Sequence, residues 1–321
     1  MLSTSVEIDC RYFFHTLSNL LPMITLDQLK AIYNDAEADA HFAYLGNKHR
    51  GGVNNSKGNT FENFFTVYQV AKSFNDDDDH ERTFLSSQVR AFIDDLVIES
   101  PDKQLSKFFQ IKDVQNLSWT TGDHPIQDDF EMQYNVCTQN GKDAELYLTV
   151  SRTELCDILV AGLPEKISTY TKVIHFGTAD SINSLIRTNN DFKDELVKMC
   201  AISNPSSDTL DALGTIVLGA WDGTNKTNVS IAHILNKCYD ENPNYIKGFE
   251  NRVSENLNRV LGSINGFTFV VEHGYIVWNY LNSDKGILQY AIGTRQYVQW
   301  ENDITNSGAE ITFEILEPFL S

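Results

Sequence analysis

A pair of acids set inside an apolar run constrains this chain most: Phe92-Ile93 precede Asp94-Asp95, and Leu96-Val97-Ile98 follow. Residues 90–99 of that composition read as a strand bound for a core, where a charge must be paired, solvated or bound to a cation. The tetrapeptide Ser100-Pro101-Asp102-Lys103 has turn chemistry, and residues 105–114 read as the next strand. On that second strand Gln110 and Lys112 lie two apart and share a face, while Phe109 and Ile111 take the other. A short turn between the strands sets an aspartate on one beside the amide and amine on the other.

The surrounding pattern supplies the rest of a mixed α/β (α+β) fold. Residues 11–45 read as an N-terminal helical extension, and the Gly-, Asn- and Ser-rich stretch 48–59 as a loop. A helix is expected over 60–74, its apolar face built from Phe61, Phe64, Phe65, Tyr68 and Ala71, with Glu62 among the aromatics. A strand over 83–86 precedes the two already described. Asp123 as N-cap and Pro125 predict a helix over 124–137, and strands follow at 145–151 and 172–176. Beyond Gly177 the pattern turns to helices at 181–188, 191–202, 208–218, 230–240 and 245–262. Strands are then expected at 267–272, 275–280, 287–292, 296–301 and 310–316, a second α+β module spanning 177–321.

Composition excludes several classes. A length of 321 residues with 41% hydrophobic content is that of a folded chain of one large domain or two unequal ones, with two preferred. The opening residues lack a basic and apolar leader, and no apolar stretch is long enough to span a bilayer, so a cytoplasmic protein without membrane contact is expected. The cysteines, Cys10, Cys137, Cys156, Cys200 and Cys238, are odd in number and form no CxxC pair, which predicts buried thiols rather than disulfides or a zinc site. The net charge of −19 opposes a broad nucleic-acid-binding surface. One segment runs the other way: Lys48, His49, Arg50 and Lys57 occur with no intervening acid, so Lys48, Arg50 and Lys57 are the candidate phosphate contacts.

Glu62, Asp95, Gln110 and Lys112 together suit phosphodiester hydrolysis. A divalent ion polarises the phosphoryl oxygen and acidifies the attacking water, and a nearby cation stabilises the developing charge. Asp95 and the Gln110 carbonyl are hard oxygen ligands for Mg²⁺ (or Mn²⁺), with Glu62 reaching the same ion or its waters and Asp94 as the alternative ligand. Lys112 is then placed to orient water. Strand alternation puts Asp94 on the face opposite Asp95, so only one of the two can be that ligand.

The order α-β-β-β-α-β, with Asp95-Leu96-Val97 followed by Gln110-Ile111-Lys112, resembles the PD-(D/E)XK, or restriction-endonuclease-like, nucleases in their D…QxK variant. The Gly51-Gly52…Lys57-Gly58 stretch leading into Phe61-Glu62 looks like the double-stranded-DNA endonuclease domain of the CBASS and Lamassu anti-phage effectors. The resemblance covers residues 46–176; residues 1–45 are then an extension and 177–321 an assembly or regulatory module. Gln110 stands where the commonest motif has an acid. The resemblance implies a Mg²⁺-dependent deoxyribonuclease acting on double-stranded DNA. The tail is short for a cyclic-nucleotide sensor, so the Lamassu-type subunit is preferred, held by SMC-like partner subunits and forming a homo-oligomer on activation. The competing reading is an acidic, non-catalytic assembly subunit with a nuclease-like fold.

Other signals are weaker. Gly219-Ala-Trp-Asp-Gly223 and Lys226 miss the spacing of a phosphate-binding loop. The histidines form no metal-binding group, and Trp119 and Trp221 are expected in the core.

Overall fold

The computed structural model describes residues 23–55, 60–76, 80, 82–122, 124–241, 245–248, 252–306 and 311–320, apart from the side chains of 50–55 and 295. Residues 1–22 of the expected extension, Cys10 and Lys57 lie outside the described residues. The chain divides into two compact units: residues 1–62, 82–176 and 226–229 form the first, and 63–81, 177–225 and 230–321 the second.

The first unit opens with α1, Leu26–Lys30, whose start is fixed by a reciprocal cap between Thr25 and Gln28. The next helix, α2, runs over Asp35–Asn55. The loop expected from residue 48 is therefore helical through 55: the glycines and asparagines there lower helix propensity without forbidding it. Helix α3, Thr60–Asp76, carries the chain out of the first unit.

Strands β1 (Phe84–Ser87), β2 (Leu96–Ser100) and β3 (Leu105–Lys112) form an antiparallel meander. The β2–β3 connection is the expected Pro101–Lys103 turn, closed by Gln104 in the left-handed region at φ 51°. Helix α4 (Ile126–Gln139) leads to β4 (Asp143–Val150), and α5 (Thr153–Ala161) to β5 (Thr171–His175). Both strands join parallel to β3, giving a six-stranded mixed sheet in the order β5-β4-β3-β2-β1-β6, with the two-residue β6 (Val229–Ser230) at the edge.

The core of this unit explains the strand sequences. Val97, Phe108, Leu146, Leu148 and Val150 pack with Phe130 and Val136 of α4 and with Leu155 and Leu159 of α5. Trp119 is buried there and its indole N–H donates to the Leu159 carbonyl at 2.9 Å, so the large ring is accommodated with its polar atom satisfied. Two expectations need correction. Strand β2 begins at Leu96, so Asp94 and Asp95 belong to the bend before it. Helix α5 went unread, although Leu155, Cys156 and Leu159 mark one buried helical face.

The second unit contains the rest of α3, helices α6 (Ile182–Thr188), α7 (Asn190–Met199), α8 (Ser207–Asp222), α9 (Ile231–Glu241) and α10 (Glu255–Gly262), and a sheet of β7 (Phe267–Glu272), β8 (Tyr275–Tyr280) and β9 (Asp284–Ile287). Trp221 is buried on α8. The β7–β8 turn is made by His273 and Gly274, with φ 53° and 79°, the left-handed pair a two-residue hairpin needs. Gly274 also tolerates no side chain, since a Cβ there would meet the Gly248 Cα at 2.2 Å.

The chain ends in α11 (Arg295–Thr305) and α12 (Phe313–Leu316), where strands were expected over 296–301 and 310–316. Tyr297, Trp300 and Ile304 are buried at helical spacing, and Thr294 caps the helix by accepting from the Tyr297 N–H. The expected helix over 245–262 is present only from Glu255, and the strand expected over 287–292 is not formed: β9 lies earlier, at Asp284–Ile287, and residues 288–292 follow it outside any strand. Cys137, Cys156, Cys200 and Cys238 are free and buried. Among the described residues no helix is long and apolar enough to cross a membrane.

Candidate active site

The first unit gathers Glu62, Asp95, Gln110 and Lys112 beside the β2–β3 pair. Asp95 is the centre of the group. Its Oδ2 accepts the Ile111 backbone N–H at 2.7 Å, the Lys112 ammonium at 3.3 Å and the Gln110 side-chain N–H. Gln110 and Lys112 reach it together because alternation on β3 sends both from one face, while Phe109 stacks on Tyr147 of the neighbouring strand from the other. The carboxylate is 7% exposed at its side chain and Lys112 34%, so the ammonium stands at the solvent edge of a buried acid.

Glu62 joins through Gln88. The Gln88 amide N–H group lies 3.1 Å from Glu62 Oε2 and 3.5 Å from Asp95 Oδ1, bridging the two acids. Burial, reinforced by the charge of Asp95 and opposed by Lys112, pushes Glu62 up to about 7. Gln88 itself sits at φ 53°, a conformation that a non-glycine residue holds only where its surroundings impose it. Sequence reading missed Gln88, because neither its left-handed backbone nor its reach to both acids leaves a mark in composition.

The bend before β2 is fixed from α4. Gln133, 2% exposed, accepts with its Oε1 the backbone N–H groups of Phe92 and Ile93 at 3.0 and 3.4 Å. The Ser87 hydroxyl donates to the Asp95 carbonyl at 3.0 Å. These bonds determine which way the adjacent aspartates point, and they separate them. Asp94 turns to Lys48, whose ammonium lies 3.4 Å from its Oδ1, and burial pushes Asp94 up to about 6 against the pull of that lysine.

Lys48 is placed differently from the expected phosphate contact. It lies on α2 with its ammonium drawn inward, 3.0 Å from Asp129 Oδ2 and 3.3 Å from Gln110 Oε1, and donating also to the Phe92 carbonyl. Burial works against the charged amine, but Asp94 and Asp129 outweigh it and hold Lys48 above the usual lysine range. Tyr44 completes the cluster, donating to Asp129 at 3.0 Å. Of the other expected phosphate contacts, the Arg50 side chain and all of Lys57 lie outside the described residues.

Gln110 also departs from expectation. Its amide oxygen faces Lys48 and its N–H group faces Asp95, because a carbonyl oxygen is the partner for the ammonium and only the N–H can meet the carboxylate. The oxygen is thus engaged rather than offered to a cation. Among the described residues no group of three or more His, Cys, Asp or Glu side chains is arranged to hold a metal ion. Among the described residues Glu62 and Asp95 are two hard carboxylates bridged by one glutamine, each already accepting hydrogen bonds. That set suits Mg²⁺, which binds through one or two carboxylates and keeps waters or phosphate oxygens at its other positions.

His124 stacks on Tyr44 with ring centroids 4.2 Å apart, and His175 Nε2 lies 3.2 Å from the Ser151 carbonyl. No family model matches the chain, and neither the curated proteins nor the solved structures contain a match to it.

Proposed function

We propose that this chain is a metal-dependent DNA endonuclease of the restriction-endonuclease-like type. The observation that carries the reading is the convergence on Asp95 Oδ2 of Lys112 and the Ile111 N–H, with Gln88 tying Glu62 to the same carboxylate. The element order α3-β1-β2-β3-α4-β4 supports it. Glu62 and Asp95 are the residues that would hold Mg²⁺ or Mn²⁺. When bound, that ion supplies Lewis-acid polarisation of the phosphoryl oxygen and lowers the pKa of water. Lys112 orients the attacking water and offsets charge on the phosphate; Gln110 and the Ile111 N–H fix Asp95; Gln88 sets the separation of the two acids.

Double-stranded DNA is the substrate in this reading, and an anti-phage effector of the Lamassu kind is its setting. A net charge of −19 weakens free affinity for DNA, so partners such as SMC-like subunits, or self-assembly through residues 177–321, concentrate the centre on its target. The inward turn of Lys48 favours the second reading, an acidic assembly subunit without catalysis, because it subtracts a cation from the phosphate-facing surface. Incubation of supercoiled plasmid with the chain, alone and with its partner complex, separates the two. The proposal expects nicking or linearisation with Mg²⁺ or Mn²⁺ and none with EDTA; intact plasmid in every arm supports the assembly subunit.

A further inference from the structure

The Lys48 cluster carries a role that the residue type alone does not suggest. Three acceptors and one further carboxylate surround one ammonium: Lys48 donates to Asp129 Oδ2 at 3.0 Å, to Gln110 Oε1 at 3.3 Å and to the Phe92 carbonyl, and it is ion-paired with Asp94 Oδ1 at 3.4 Å. Tyr44 donates to both Asp129 oxygens, at 3.1 and 3.0 Å, and so holds that acid against the lysine. One of these contacts reaches Asp95 through a single side chain. Gln110, 3% exposed, accepts from Lys48 at one end of its amide and donates to Asp95 at the other.

We propose that Lys48 is a positioning residue of the candidate centre, acting through Gln110 on Asp95, and not a phosphate contact; this rests on the nuclease reading of Asp95. The ammonium selects the orientation of the Gln110 amide, since the opposite orientation would set N–H groups against the cation and an oxygen against the carboxylate. It also gives a chemical reason for glutamine at position 110. A side chain bridging a cation and an anion must accept at one end and donate at the other, which an amide does and an ionised carboxylate cannot. Lys48 and Gln110 are in this account a matched pair.

Lys48→Met alone would strand Asp94 and Asp129, and Asp129→Asn relieves one of them, so the comparison is K48M/D129N against D129N, both in the full chain. Hydrogen exchange of the Gln110 side-chain N–H₂ group, assigned by its disappearance in Gln110→Glu, is the first readout. The proposal expects slow exchange in D129N and at least tenfold faster exchange in K48M/D129N. Equal exchange in the two overturns it, whether or not the chain cuts DNA. Cleavage kinetics are the second readout: kcat falls at least tenfold, with KM and its salt dependence unchanged. A raised KM with a shallower salt dependence and intact kcat would instead make Lys48 a phosphate contact.

Discussion

The Lys112 ammonium stands 3.3 Å from Asp95 Oδ2, at the solvent edge of a carboxylate that is otherwise enclosed. That carboxylate also accepts from the Ile111 N–H at 2.7 Å and from Gln110, so it organises β3 as well as facing solvent. Asp95→Ala strands those donors and should cost about 1–3 kcal/mol of stability. Asp95→Asn keeps the shape and one oxygen acceptor and should cost less. Denaturant unfolding of both variants checks the order; equal losses in the two would mean that the three contacts are not made.

Glu62 gives stability a definite pH dependence. Its folded-state value is about 7 against an ordinary 4.5, so between these values the folded chain holds a proton that the unfolded chain has lost. The contribution is full below 4.5 and is lost as pH rises through about 7. Glu62→Gln, which keeps a neutral side chain at every pH, should match wild type near pH 4 and melt higher than wild type at pH 8. The difference in Tm across that range is the measurement, and a pH-independent difference contradicts the assignment.

Mg²⁺ should reverse the Glu62 penalty in the wild type. A cation held between Glu62 and Asp95 favours both ionised carboxylates and binds the folded chain alone, raising Tm by mass action. Titration of Mg²⁺ at pH 8 is expected to raise the wild-type Tm by a few degrees, about 3 kcal/mol at a hundredfold excess over Kd. The same titration should leave Glu62→Gln and Asp95→Asn nearly unmoved. Removal with EDTA restores the starting value.

Gln133 should matter from outside the centre. Its Oε1 is the acceptor for the Phe92 and Ile93 N–H groups inside the core. Gln133→Leu leaves both buried donors without it and should destabilise the chain by roughly 1–3 kcal/mol per stranded group. Because those donors lead directly into Asp94 and Asp95, cleavage should fall together with stability, whereas Gln133→Glu, which keeps an acceptor, should retain more of both.

Much of the site was legible because strand alternation is a strict geometric rule. Gln110 and Lys112 share a face at a spacing of two, and the Pro101 turn brings their strand against the one entered by Asp95. The surroundings of Lys48 were hidden for a different reason: glycine and asparagine between 48 and 59 suggest a loop, yet α2 continues to Asn55 and sets that side chain against Asp129. Asp94 and Asp95 do diverge, but through the bend held by Gln133 rather than through alternation within a strand. Gln88 was hidden because its role depends on a left-handed backbone. In the second unit a strand was expected over 296–301, whereas the spacing of Tyr297, Trp300 and Ile304 matches a helix.

In the proposed function Asp95 and Lys112 act on phosphodiester bonds. Mg²⁺-dependent cleavage of supercoiled plasmid, under conditions where the wild type cuts, should fall at least a hundredfold in Asp95→Asn and in Lys112→Ala, with both variants melting within a few degrees of wild type. Folded variants that cut as fast as the wild type would contradict the account.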